Sequence, residues 1–378
     1  MGSGPSNPEP RVLQAMTATP LAADDPSLAV VLDDVANLAR SVFRGDTARA
    51  VAVPGASRAG IEAVLASLVL PGDRVLVGVY GHFGELLCTL ATRHGAVVER
   101  VEAEWGHPVD VQDMAARIRR DPPSLAAIVH ADTSTGILQP LGEIGTVCRD
   151  TGTLLVVDAV LSLGGCQVEL DGWGLDAAIG GLQKCLGGPP GLALVAYSAR
   201  IQNALGTRRA KPHSVYLDLG RLAADRAPPQ PAEIPTPMLF AAREALRLIV
   251  HEGLEARWAR HRRAGVALRA GLQAMGLELF GNAAHAAPMI SLVRVPDGID
   301  EAAVREQLLR QHGIEIMAAF GPLRGRVWRV GTMGTNACLP SVLGVLAGLE
   351  AVLASRGFRI LRGSGVDAAL AANGADAM

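Results

Sequence analysis

Two side chains in this sequence have the type, setting and order to do covalent chemistry together: Lys184 and Asp158. Lys184 sits in the stretch from Gly180 to Gly191, GGLQKCLGGPPG, and Lys211 is the only other lysine in the chain. An apolar strand-like approach, Leu175-Asp176-Ala177-Ala178-Ile179, leads into it, and the breaker run Gly187-Gly188-Pro189-Pro190-Gly191 follows. Glycines let a backbone turn tightly and approach a ligand closely. Prolines stop a helix and set the next turn. A lysine held between two such turns on an apolar segment can be desolvated and so made nucleophilic. Asp158 ends Leu154-Leu155-Val156-Val157, four apolar residues that read as a buried parallel strand. The C-terminal ends of such strands are where open α/β sheets bind ligands. Taken singly, Lys184 fits a surface loop and Asp158 fits a helix cap. Taken together they match the needs of pyridoxal 5′-phosphate, a lysine to form the Schiff base and a carboxylate to keep the pyridine nitrogen protonated.

The elements that would position this pair alternate strand and helix up to about Val195, which indicates a doubly wound, mostly parallel α/β sheet. Val51 to Gly60 reads as a short strand, a small-residue turn and a helix start, a form that can bind phosphate on free N–H groups. Tyr80-Gly81-His82-Phe83-Gly84 closes another strand and offers an aromatic to a planar ligand or to the core. Ala131 to Gly136 is a hydroxyl-rich loop whose side chains could cap a helix or hold ligand oxygens. All these loops fall at strand C-termini, on one face. From about Ser198 to Pro237 the chain is expected to be irregular. A long helix is expected from about Met238 to Arg269, with Gly253 inside it or marking a break. An α+β pattern follows from Leu277. It includes a half-buried strand, Arg326 to Gly331, that carries two arginines, and a final strong helix from Ser341 to Arg356. The last dozen residues are expected to fray. The expected division is an N-terminal arm over 1–15, a large domain over 16–250 and a small C-terminal domain over 251–378.

Composition removes several classes of function. At 378 residues the chain suggests two domains, and 49% hydrophobic content makes burial easy. A net charge of −2 gives no electrostatic case for nucleic acid or a membrane surface. Aromatics at 3% argue against stacking platforms for single strands. The five cysteines show no CxxC pair and read as reduced thiols of a cytoplasmic protein, with no metal site expected. No apolar run reaches the length of a membrane span, about 18–20 residues.

With Gly4-Pro5-Ser6-Asn7-Pro8, Asp158, GGLQKCLGGPPG and WRVGTMG in order, the chain resembles the class V, fold-type I aminotransferases, in particular the alanine–glyoxylate aminotransferase family, over essentially its whole length. The wording SRAGIEAVLAS, EWG, AAIGG-QKCL and FGPL-G-(V)WR-GTMG is closest to the ureidoglycine–glyoxylate branch. The resemblance implies that Lys184 is the Schiff-base lysine and that Asp158 pairs with the pyridinium nitrogen. It implies that Phe83 stacks on the ring, and that the N–H groups of Ser57 and Arg58 hold the phosphate with the Gln183 side chain. Ser134 would contact ring or substrate. Arg329 would bind the substrate carboxylate, for which a bidentate guanidinium is suited. Ser6 and Asn7, on the Gly4 to Asn7 backbone, would line the substrate pocket. Fold-type I relatives build each site from two chains, so a homodimer is expected.

The chain departs from the family at three places. Where the family carries a Tyr/His-His-Thr segment that contacts the phosphate across the dimer, this chain reads Gln230-Pro231-Ala232-Glu233-Ile234-Pro235. Ala23 and Val215 stand where the ureidoglycine branch has Gln and Asn side chains suited to a ureido group. The pyridoxamine–pyruvate branch also lacks the His-His-Thr segment and ends much like Gly365 to Leu370. The expected activity is transamination from a small amino acid to glyoxylate or pyruvate. Ureidoglycine–glyoxylate and pyridoxamine–pyruvate transamination are the alternatives. A desulfurase or lyase on the same fold is a rival, disfavoured by Phe83 in place of a stacking His and by a Cys185 that reads as a packed thiol. A cofactor-holding protein without turnover is disfavoured by the intact Lys184, Asp158 and Arg329.

Overall fold

The apolar runs do form strands, and their order explains why the candidate loops meet. The computed structural model describes residues 1–208, 211–223 and 235–375. Nine strands precede the long helices: β1 Arg49–Pro54, β2 Arg74–Val79, β3 Val97–Glu102, β4 Leu125–Val129, β5 Ala131–Asp132, β6 Ile137–Leu138, β7 Leu154–Asp158, β8 Ala177–Gly181 and β9 Leu192–Tyr197. Seven make one sheet in the order β1-β9-β8-β7-β4-β2-β3. The pairs from β8 to β3 are parallel, while β9 runs antiparallel to both β8 and β1. The central strands β4, β8 and β9 bury every residue, as a sheet covered by helices on both faces requires. The edge strand β3 leaves three of its residues exposed, and charges at a sheet edge discourage pairing with another chain. Tyr80 belongs to this core, and its hydroxyl donates to the Val129 carbonyl at 2.7 Å.

A second, three-stranded antiparallel sheet comprises β10 Ile290–Arg294, β11 Met317–Ala318 and β12 Val327–Gly331, in the order β10-β12-β11. Here the structure corrects the expectation of half burial, because every residue of β12 is buried, Arg329 included. Alternation along the strand sends Trp328 and Val330 into a second apolar core. Arg329 then faces the opposite side, toward the first sheet.

Two further expectations are corrected, and one left open is decided. The stretch after Ser198 is not wholly irregular, since Ala199–Thr207 is a helix capped by the Ser198 hydroxyl and Leu219–Ala223 is a short one. The expected break at Gly253 is real: Thr236–Glu252 and Leu254–Ala274 are separate helices, and Gly253 takes φ +84, a conformation glycine adopts freely. The tail does not fray where the structure describes it. Ser364–Ala375 is a helix that buries Ala369 and packs along Leu254–Ala274. Small residues allow that approach: a Cβ on Gly271 would fall 2.7 Å from the Gly365 carbonyl oxygen. Residues 230–234 of the segment that replaces the family's His-His-Thr motif lie outside the described residues.

Candidate active site

Lys184 is placed by the end of β8. After Gly181 the chain makes one wide π-type turn, Leu182–Leu186, broken at Lys184, whose φ −108 and ψ −129 are not helical. Such wide turns recur at functional sites. The N-terminal arm lies across this turn. The Ser6 N–H donates to the Gln183 carbonyl at 2.8 Å, and the Ser6 hydroxyl donates to the Lys184 carbonyl at 2.7 Å. The Lys184 ammonium donates to the Ser3 carbonyl. Gly4 allows the approach, because it takes φ +103 and a Cβ there would sit 2.5 Å from Nζ. Burial lowers the Lys184 pKa to about 8, helped by the positive charge of Arg329 and opposed by Asp158. A desolvated amine beside a cation is a stronger nucleophile at neutral pH because more of it is uncharged.

Asp158 ends β7, with 4% of its surface exposed. One carboxylate oxygen accepts the Val160 N–H at 2.9 Å. Burial raises the carboxyl to about 7; Asp132 adds to the effect and Lys184 opposes it. Lys184 and Asp158 both line a cavity of about 340 Å³. Its other walls come from the ends of neighbouring strands: Ser57, Arg58 and Ile61 after β1, Phe83 after β2, and Val129, Ala131 and Thr133 along β4 and β5. The helix Ser57–Leu68 begins at Ala56 without a capping side chain. Its first N–H groups therefore stand open at the cavity to an anion. Gln183 joins them, its amide nitrogen 2.7 Å from the Ser57 hydroxyl.

Three of the residues implied by the resemblance stand elsewhere. Ser134 is fully buried behind the wall, where its hydroxyl donates to Asp132 Oδ1 at 2.6 Å and accepts the His82 N–H at 2.8 Å. It closes the start of the His82–Arg93 helix, and Thr133 beside it lines the cavity instead. Asn7 is exposed, and its backbone carbonyl accepts from the Thr335 hydroxyl at 2.7 Å. Ser6 braces the lysine turn and does not line the cavity. Arg329 stands next to the cavity, with Nε donating to the Ala318 carbonyl at 2.8 Å and Nη1 to the Thr133 carbonyl at 3.3 Å. Its guanidinium lies 4.3 Å over the Phe320 ring, and the His82 ring stacks on Phe320 at 4.6 Å and 10°. Burial lowers Arg329 to about 10, against the pull of Asp132. Thr133, Val160, Phe320 and His82 escaped sequence reasoning as site residues. Phe320 stood in the FGPL wording, but no spacing rule brings it beside His82.

A buried Lys–Asp pair at strand C-termini, an open helix N-terminus and a nearby arginine form an anion-binding amine site. The comparisons with known proteins agree with that. Residues 31–323 match the family model "Aminotransferase class-V". The chain is 42% identical over 391 residues to the (S)-ureidoglycine–glyoxylate transaminase of Bacillus subtilis, covering 98% of this chain and 94% of the relative. The crystal structure of the ureidoglycine–glyoxylate aminotransferase from Bacillus subtilis superposes with a TM-score of 0.96 at 43% identity, over 98% of this chain and 97% of the other. An alanine–glyoxylate aminotransferase structure from Nostoc gives 0.90 at 40% identity, over 93% and 94% of the two chains. The pyridoxamine–pyruvate transaminase of Mesorhizobium japonicum is 31% identical over 379 residues, 99% and 96% of the two chains. The fold is that of the fold-type I aminotransferases. The chain belongs to the class V aminotransferase family and is a transaminase.

Proposed function

We propose that the chain binds pyridoxal 5′-phosphate in the Lys184 cavity and moves an amino group from a small α-amino acid to glyoxylate or pyruvate. The observation that carries this reading is that Lys184 and Asp158 line one cavity while Arg329 is close enough to depress the lysine. The residues fit the cofactor. The uncapped N–H groups of Ser57 and Arg58, with Gln183 beside them, would hold the phosphate. Phe83 would lie against the ring, and Asp158 would meet the pyridine nitrogen. A cationic N–H beside Asp158 would favour its carboxylate and lower the raised pKa. Once bound, the cofactor supplies an electron sink for the substrate Cα.

The chain's own residues do the rest. The Lys184 amine, partly neutral near pH 8, attacks as a nucleophile and then carries the Cα proton as base and acid. Arg329 holds the substrate carboxylate. Its remaining guanidinium edge and its fixed plane over Phe320 suit a bidentate pair. Among the described residues the one arginine lining the cavity itself is Arg58, which is exposed at the helix start, beside the proposed phosphate position. One carboxylate clamp suits monocarboxylates. Cys185 is fully buried and burial pushes its thiol up to about 12, so it is a packed thiol and not the reactive cysteine of a desulfurase.

A second reading, (S)-ureidoglycine as the donor, is favoured by the 42% identity to that transaminase. Ala23 is exposed, Val215 is 66% exposed, and neither lines the cavity. Within one chain, their inability to hydrogen-bond a ureido group therefore does not discriminate. The working form in this reading is a homodimer, supported by family membership and by the exposed apolar pair Val215 and Tyr216. The five unpaired cysteines support a reducing, cytoplasmic setting. The experiment is a side-by-side kcat/KM for alanine, serine and ureidoglycine with glyoxylate as acceptor. Turnover of alanine or serine above that of ureidoglycine supports the first reading, and the reverse order establishes the second. No transamination with any of the three, with glyoxylate or with pyruvate as acceptor, would refute both.

A further inference from the structure

A second cavity, about 640 Å³, lies behind the strand that walls the first. Val129, Ala131 and Thr133 line the Lys184 cavity, while His130 between them lines this one, as alternation along an extended chain requires. One wall is a single face of the helix Leu254–Ala274. Trp258, Arg262, Val266 and Arg269 recur there at intervals of four, four and three, which makes one stripe on a helix. Trp173, Gln139 and His285 also line the cavity. Among the described residues no aspartate or glutamate does.

Two donors on this stripe have no acceptor among the described residues. Trp258 Nε1 and Arg269 Nη1 are both buried without a hydrogen-bond partner. Burial lowers the Arg269 pKa, and no acidic neighbour opposes it. Glu169 and Glu255 are both paired with Arg44, whose guanidinium lies 4.8 Å over the Trp258 ring. A buried Nη1–H and indole N–H left unpaired cost the fold something, and they mark this wall as short of acceptors, which an anionic ligand would bring.

We propose that this cavity is a binding site for a small organic carboxylate with a flat apolar body, its carboxylate on Arg269 and Arg262 and its ring against Trp173 and Trp258. The volume lies within the range of small-molecule sites, about 300–1,000 Å³. Guanidinium groups match a carboxylate in two-point geometry. With two arginines and, among the described residues, no carboxylate on the wall, the charge of the site favours an anion over the ammonium group of an amino donor. It is also separate from Arg329, which is bonded to the Thr133 carbonyl and stacked on Phe320.

The chain has four tryptophans, so 5-fluorotryptophan labelling yields four fluorine signals. Each is assigned by a Trp→Phe variant in the cofactor-loaded protein. Benzoate is the probe, with benzamide as its uncharged counterpart and inorganic phosphate as a plain anion. Benzoate should move the Trp173 and Trp258 signals together and saturably, leaving Trp328, which is fully buried in the second core, unmoved. Benzamide and phosphate should leave both signals in place. Arg269→Gln should weaken benzoate binding by about ten-fold or more, and Arg329→Gln should leave it unchanged. The proposal is overturned if benzoate moves only Trp105, which packs beside Gly321 on the Arg329 side, or if Arg269→Gln binds benzoate like the parent. Equal binding of benzamide would also overturn it. Once the four signals are assigned, the parent protein shows where benzoate binds, so the test does not depend on how Arg269→Gln folds.

Discussion

Phe320→Leu is the substitution that asks most of the proposed substrate clamp. Arg329 is held at Nε by the Ala318 carbonyl and at Nη1 by the Thr133 carbonyl, and its flat face rests 4.3 Å from the Phe320 ring centre. His82 covers the ring by stacking at 4.6 Å, and Phe83 meets it edge-on at 6.0 Å. Leucine keeps the apolar bulk but removes the π-face. A cation–π contact contributes about 0.5–1 kcal/mol at exposed sites and about 2 kcal/mol when desolvated. Arg329 is only 4% exposed, so the upper half of that range applies. At 1.4 kcal/mol per ten-fold, kcat/KM for glyoxylate should fall by roughly 5- to 30-fold. The arginine keeps both backbone bonds, so the loss should stay well short of that in Arg329→Ala. The Lys184 pH profile should move little, because the charge near it is unchanged. Phe320→Tyr keeps the ring and should retain most of the activity. The assay is steady-state kinetics with glyoxylate and pyruvate for the three variants, with cofactor occupancy measured in parallel. Equal kcat/KM for Phe320→Leu and the parent would refute the claim that the ring holds Arg329. So would equal losses in the Leu and Tyr variants.

Lys184→Ala should abolish turnover and the covalent cofactor's absorbance; turnover at the parent rate would sink the assignment. In cofactor-free protein the rate of pyridoxal 5′-phosphate attachment should rise with pH around 8, since burial sets the amine near that value. A profile still climbing toward 10 would show an ordinary solvated lysine. Asp158 has a folded-state pKa of about 7 against about 3.9 unfolded. Between those values the unfolded state binds fewer protons, so stability of the cofactor-free protein falls as pH rises from about 4 to 7. Asp158→Asn should flatten that slope in thermal melts across the window and, with cofactor bound, should cut turnover heavily. Identical slopes, or full activity at full occupancy, would reduce Asp158 to a structural role. Sedimentation of the active enzyme should report a homodimer, and an active monomer would contradict the two-chain site.

Much of the site was legible because its signals are local. A lysine between Gly and Pro turns, and a carboxylate ending four apolar residues, are readable where they stand, since strand burial and turn chemistry depend on near neighbours. Alternation of strand and helix then placed both at the C-terminal ends of strands of a mostly parallel sheet, and β7 and β8 are parallel neighbours in it. The same local rules misjudged β12 and the C-terminal helix. Neither the burial of Arg329 nor the packing of Ser364–Ala375 is written in its own stretch; both depend on which surface arrives to cover it. Side-chain placement in the hydroxyl loop was not readable for a related reason. Ser134 and Thr133 are chemically alike and adjacent, and only the His82–Arg93 helix start, which takes the Ser134 hydroxyl, decides which of them faces the cavity. Tertiary structure alone also joined His82, Phe320 and Arg329 into one stack and laid the Gly4 backbone against Lys184. Those contacts link residues far apart in the chain, so their energy comes from surfaces that exist only once the two sheets and the arm have met.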